Sequence, residues 1–163
     1  MSVGVRITTT DGRALAAMAQ LMLTADNKAK LFDEIGISLA ESARLRFIDQ
    51  VGPDGQTWKP SIRATAQGGE TMRDKGLLMN SITHRVLPDG VEYGTNVPYA
   101  IPLHFGAEIR AVNAPFLRFK IPGGGWVRKK SVKLPARPFL GINAEDEQTI
   151  SDIINDFLRQ GLQ

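Results

Sequence analysis

NKAKLFDEIGISLAESARLRFIDQ, residues 27–50, carries the strongest helical periodicity in the chain. Phe32, Ile35, Leu39, Ala43 and Phe47 follow one another in steps of three and four, so they stack on one stripe of a helix. Glu41 and Arg44 fall on the wet side, three residues apart and able to pair weakly. Gly36 inside the helix costs about 1 kcal/mol relative to Ala, and a close approach of the helix to a sheet would explain its presence. Val51–Gly52–Pro53 ends the helix.

Upstream, residues 3–9 alternate apolar and polar and predict a strand. A turn at Thr10–Asp11–Gly12 follows, then a short helix over residues 13–23, rich in Ala, Leu and Met. Downstream, GPDGQTWKPSIRATAQGGET, residues 52–71, reads as a long polar loop. Loops of that length in a compact domain are often functional or ordered only on binding. Trp58 within it either folds back over the core, as large aromatics commonly do, or serves as a contact. Gly76–Ser81 predicts a helical turn, and residues 82–87 and 91–96 form a hairpin around Pro88–Asp89–Gly90. Residues 97–106 read as a brief helix closed by Gly106. In a second β region Leu117, Phe119 and Ile121 alternate with Arg118 and Lys120, which directs Phe119 toward the core. A Pro122–Gly125 tip, Trp126, and the Val132/Leu134 alternation complete that region. The last helix spans about 144–160, with Asn143 as N-cap and Glu145, Asp146 and Glu147 in its first turn, favourable at the positive helix end. Ile150, Ile153, Ile154, Phe157 and Leu158 make its apolar face. Helices and antiparallel strands are segregated, not alternated, so the fold class is α+β: an antiparallel sheet packed against a long central helix and a C-terminal helix, with extended loop arms. One domain covers residues 1–163, with flexible loops at about 52–71 and 122–130.

The 163 residues include 42% hydrophobic and 23% charged side chains, enough for one core and incompatible with wholesale disorder. The absence of cysteine excludes disulfides, a thiol nucleophile and cysteine zinc sites. The apolar stretch Ala14–Leu23 is too short to span a bilayer, which predicts a soluble protein without membrane contact. No GxxxxGK phosphate loop occurs; the Gly123–Gly125 run leads into Trp126–Val127. His84 and His104 are the only histidines and lack helical ligand spacing. Ser61 and Ser81 have no nucleophile elbow around them. Nothing selects a catalytic pair of carboxylates, so the expectation is a protein that is not an enzyme and uses no cofactor or metal.

Charge is more informative. Between residues 108 and 138 eight basic residues (Arg110, Arg118, Lys120, Arg128, Lys129, Lys130, Lys133, Arg137) face one acid, Glu108, a net +7. From 144 to 163 five acids face Arg159, a net −4. The overall +3 is thus a cancellation. The basic segment reads as a solvated hairpin face, as a nucleic-acid surface with Phe116 and Trp126 as stacking groups, or as one half of a head-to-tail contact whose other half is the acidic helix of the next copy. Candidate subunit or partner contacts are Trp58, Arg110, Trp126, Arg128, Lys129, Lys130, Arg137, Glu145 and Asp146. Pro135 and Pro138 hold Arg137 in an extended segment, presented to a carboxylate of its own chain or to a neighbour.

Several segments in order carry a family resemblance. They are Phe47 with Pro53–Asp54–Gly55–x–x–Trp58; Gly76–Leu77 leading to Ser81–Ile82; Val91–Glu92–Tyr93–Gly94–Thr95–Asn96; Tyr99–Ala100; His104–Phe105–Gly106; and Leu134–Pro135–Ala136–Arg137–Pro138–Phe139–Leu140–Gly141 before the acidic helix. Over about residues 30–160 this series resembles the phage virion morphogenesis family of Mu-like and related tailed bacteriophages, often described as tail completion proteins. One departure is Met72–Arg73–Asp74–Lys75–Gly76, where relatives tend to have a Leu and a small polar residue before the glycine. The resemblance implies a non-catalytic assembly protein at the tail end or head–tail junction of the virion, made in the host cytoplasm. It implies a ring of copies, a hexamer by analogy with tail symmetry. Tail tube, tail terminator or neck and connector proteins would be its partners, with DNA in the ring lumen as a further contact.

Overall fold

In the computed structural model, which describes residues 3–7 and 25–160, the periodic stretch becomes helix α1, Ala25–Asp49. Leu31, Ile35, Leu39, Ala40, Ala43 and Phe47 are buried along it. Phe32, expected on the stripe, is half-buried; Leu31, four residues before Ile35, takes the inner place. The helix stops at Gln50, whose φ of 59° is left-handed. Gln50 compensates through its side chain, which accepts from Thr71 N–H at 2.7 Å and donates to the Thr71 carbonyl at 3.1 Å.

Strand β1, Val3–Ile7, lies on one side of β3, Gly90–Thr95, and β2, Thr83–Leu87, on the other, all antiparallel. The predicted hairpin around Pro88–Asp89 is the β2–β3 pair. Val91 and Tyr93 are buried against α1, while Arg85 and Glu92, opposite one another in register, pair at 2.6 Å. Gly36 is where helix and sheet meet: a Cβ there would lie 2.4 Å from His84 Cδ2 and 2.8 Å from Val91 Cγ2. The predicted turn at 10–12 and helix at 13–23 lie outside the described residues.

The segment 52–71 is not irregular throughout. Val51 bridges Thr57, and α2, Ile62–Gln67, is capped by Ser61, whose side chain accepts from Ala64 N–H at 3.1 Å. The Ser61–x–x–Ala64 cap was available in the sequence, but the surrounding glycines masked it. Two short helices follow as expected: α3, Leu77–Asn80, and α4, Ala100–Phe105, closed by Gly106. Helix α5, Ala144–Gln160, lies on α1, with Ile150, Ile153, Ile154, Phe157 and Leu158 packed against the core. Its Asn143 Oδ1 accepts from Asp146 N–H at 2.8 Å, while Asp146 Oδ2 accepts from Asn143 N–H at 3.0 Å, a reciprocal cap.

The second β region adds no residue to the core, although its turn at Gly123 comes up to α2, where a Cβ on Gly123 would lie 3.7 Å from Ala66 Cβ. Strand β4, Ala107–Arg110, pairs antiparallel with β7, Ser131–Leu134; β5, Leu117–Lys120, pairs with β6, Trp126–Lys129. β4 has no counterpart among the sequence expectations. The two ribbons are nested and offset: residues 111–116 on one side stand against Lys130 on the other, joined by Ala111 N–H donating to the Lys130 carbonyl at 3.2 Å. Phe119 is half-buried in the outer ribbon and is not part of the core, contrary to its expected direction. Its alternation reflects the amphipathic ribbon, not contact with the helices. The α+β class and both principal helices are as the sequence indicates.

Candidate functional site

None of residues 105–136 is buried, and no residue from 105 to 138 joins the hydrophobic core or packs against it. These residues form an arm. Its root is Gly106, with φ 76° and with Ala136 N and Leu134 O only 2.9 and 3.0 Å from where a Cβ would sit. A side chain has neither the conformation nor the room there.

The arm carries seven of the eight basic residues of its segment; Arg137, the eighth, does not belong to it. Glu108 accepts from Arg110 at 2.7 Å, and hydrogen bonds from Arg110 and then Ser131 hold its carboxyl below the usual carboxylate range. Register sorts the outer ribbon into two faces. Arg118 lies opposite Arg128 and Lys120 opposite Trp126, so these four share one face; Leu117, Phe119, Val127 and Lys129 share the other. The Arg118 guanidinium sits 4.6 Å from the centre of the Trp126 ring, a cation–π contact. Trp126 is still 62% exposed, Val112 89% and Phe116 44%.

Where the arm returns to the body, Pro135–Gly141 is locked from three elements. Arg46 on α1 donates to the carbonyls of Phe139 at 3.2 Å and Gly141 at 2.8 Å. The same guanidinium meets Asp146 Oδ2 at 2.5 Å, and Ser42 Oγ donates to Asp146 Oδ1. Trp58 Nε1–H donates to the Pro138 carbonyl at 2.9 Å. On β3, the Tyr93 hydroxyl donates to the Gly141 carbonyl at 2.7 Å and accepts from Gly141 N–H at 3.0 Å. Burial, opposed by these contacts, pushes the Tyr93 hydroxyl pKa up. Phe139 completes an aromatic cluster with Phe47 and His104, its ring centroid 5.3 and 5.0 Å from theirs. Phe139 N–H points to His104 Nδ1 at 3.4 Å, and burial lowers the His104 pKa.

Five of the nine expected contact residues lie exposed on the arm: Arg110, Trp126, Arg128, Lys129 and Lys130. Glu145 is exposed on the first turn of α5. The other three are corrected. Trp58 packs edge-on against Phe47 at 5.3 Å, so its indole belongs to the core. Arg137 is 5% exposed; its Nε–H donates to the Lys59 carbonyl at 2.8 Å, and its backbone N–H to Leu103 O at 2.9 Å. Among the described residues its guanidinium therefore donates to a backbone carbonyl, where a carboxylate of its own chain or a neighbour was expected, and desolvation lowers its pKa. Asp146 is occupied by Arg46, Ser42 and its own cap. Glu145 and Glu147, its neighbours, are exposed in the first turn of α5, where the dipole argument places them.

Arg46 is the residue the sequence expectations leave out, although a signal exists for it: it falls seven positions after Leu39, on the apolar stripe, where an arginine must find buried partners. The two histidines, each expected to be exposed or a hydrogen-bonded structural residue, are both hydrogen-bonded: His104 to Phe139 N–H, and His84 to Asp33 through Nε2 at 2.7 Å.

Comparison with curated proteins and with solved structures yields no match. The model of the phage virion morphogenesis family matches residues 10–159, a span that takes in the long helix, the β2–β3 hairpin, the arm and the locked segment that returns from it. A match over nearly the whole chain shows the family: the chain belongs to the phage virion morphogenesis family.

Proposed function

We propose that, within virion morphogenesis, this protein completes the tail or the head–tail junction as a ring of copies, acting as a structural element and not as a catalyst. The observation that carries the reading is the arm: residues 105–136 hold four paired strands yet contain no buried residue. An isolated two-stranded ribbon is marginal in water, so an arm of this kind gains its stability from a surface outside its own body. Tail tube, terminator or neck proteins are the expected further partners, with the virion tail or junction as the place of action. Native mass spectrometry of the purified chain and electron microscopy of lysates from a phage lacking it test the proposal. Separate heads and unfinished tails, with complementation restoring joined virions, are the expected outcome. Normal virions without the protein would overturn it.

A second reading rests on the face that holds Arg118, Lys120, Arg128 and Trp126, a combination of cations and an indole that also suits single-stranded nucleic acid. Its mark is affinity that falls steeply with salt and drops when Arg128, Lys129 and Lys130 become alanine. Absence of binding at low salt removes it.

A further inference from the structure

Two exposed surfaces of this chain complement one another, and among the described residues no hydrogen bond or ion pair joins them. One is the cationic–indole face of the outer ribbon. Arg118 and Arg128 stand directly opposite each other in register there, an unfavourable like-charge pair that an acidic neighbour would relieve. The other is the outward stripe of α1. Ile37, Leu45 and Ile48 are 55%, 47% and 49% exposed, and their spacing of eight and three residues places them on one side of the helix. Glu34 and Glu41 lie between and beside them on that side, both exposed. Arg44, at the edge of the stripe, is turned aside: it bridges Glu41 at 3.0 Å and donates to the Ile82 carbonyl. Lys30 lies one turn before Glu34, at the stripe's N-terminal end.

We infer that the arm of one copy docks on α1 of the next, with Trp126 seated among Ile37, Leu45 and Ile48 and with Arg118, Lys120 and Arg128 facing Glu34 and Glu41. This deepens the ring reading above and rests on it. A tryptophan flanked by arginines is the composition of an interface hot spot, and three exposed aliphatics with interleaved acids make the matching floor. The contact is heterologous, since arm and stripe are different patches of the same chain; repeated, it closes a ring or extends a filament. It differs from pairing between the arm and the acidic α5, because it supplies apolar area as well as charge.

The chain has no cysteine, so disulfide trapping is clean. The full-length variant Trp126→Cys is mixed with Ile37→Cys, Leu45→Cys or Ile48→Cys, each also incorporated into virions, and oxidised. A disulfide between different copies is expected for at least one pair, with none for Trp126→Cys alone. In parallel, Trp126→Ala is expected to raise the concentration for self-association about tenfold or more. Glu41→Lys is expected to weaken association and Arg128→Glu to restore it in combination. Circular dichroism of each variant establishes that it is folded. If the wild-type chain assembles but no pair crosslinks, or the combination shows no restoration, this interface is wrong while the ring reading stands. A disulfide within one copy, in the chain carrying both cysteines, also overturns it, by showing the arm folded on its own α1. If neither purified protein nor virion contains an oligomer, the ring reading falls with it.

Discussion

Thirty-two consecutive residues of the arm, 105–136, contain no buried side chain, whereas three of the next five, Arg137, Phe139 and Leu140, are almost wholly enclosed. Both stretches are extended and rich in turn formers, and composition alone does not separate them. What separates them is where their backbone polar groups go. In the arm they pair with the facing strand; from Pro138 to Gly141 every carbonyl the contacts describe is met by a side chain from elsewhere, Arg46, Trp58 or Tyr93. The arm's order is local, while the lock's order is long-range. On the proposed reading stability and assembly fall to different residues, and substitutions move one without the other.

The largest expected effect comes from the lock. Asp146→Ala leaves Arg46 buried with its Nε already lacking a partner among the described residues, and breaking such a pair costs about 3–5 kcal/mol. Urea denaturation measures it, and a loss below about 1 kcal/mol would erase the contrast between lock and arm. Trp58→Phe keeps a ring against Phe47 but strips the Pro138 carbonyl of its donor, for an expected loss of about 1–3 kcal/mol. His104 gives a pH signature. Burial favours its neutral form in the fold, so its contribution is complete above the ordinary value of 6.5 and is lost as pH falls below that value toward the depressed folded one. Melting temperature should therefore fall more steeply between pH 7 and 5 in the wild type than in His104→Asn, which keeps an acceptor near Phe139 N–H. At the small end, converting Arg128, Lys129 and Lys130 together to alanine should shift unfolding by no more than about 0.5 kcal/mol. The same triple variant should lose self-association or virion joining. Equal losses in both assays would show that the arm is part of the folding unit after all.

The elements with a dominant period were legible in the sequence: α1 from its stripe, α5 from its Asn143 cap and isoleucines, the β2–β3 hairpin from alternation around Pro88–Asp89. The arm was legible as a basic β segment, but not as something separate from the core, because the alternation of Leu117 and Phe119 is identical for a ribbon packed on the core and for one outside it. The lock was the least legible part. Arg46 and Asp146 are separated by 100 positions, and no local pattern announces such a pair. Asp146 had a sufficient local explanation in the helix dipole, which concealed its long-range partner. Trp58 and Arg137 each admitted an inward and an outward role, and only packing decides between them.

Gly106 gives the arm a bearing. Backbone of the returning strand comes to 2.9 and 3.0 Å from where a Cβ would stand, closer than van der Waals contact, and the two strands run side by side at the root with no side chain to separate them. A paired ribbon of four residues spans about 13 Å, and any rotation at its base is multiplied toward Trp126. Alanine at 106 would therefore do more than strain one turn: it would re-aim a lever, moving Trp126 further than the root itself shifts.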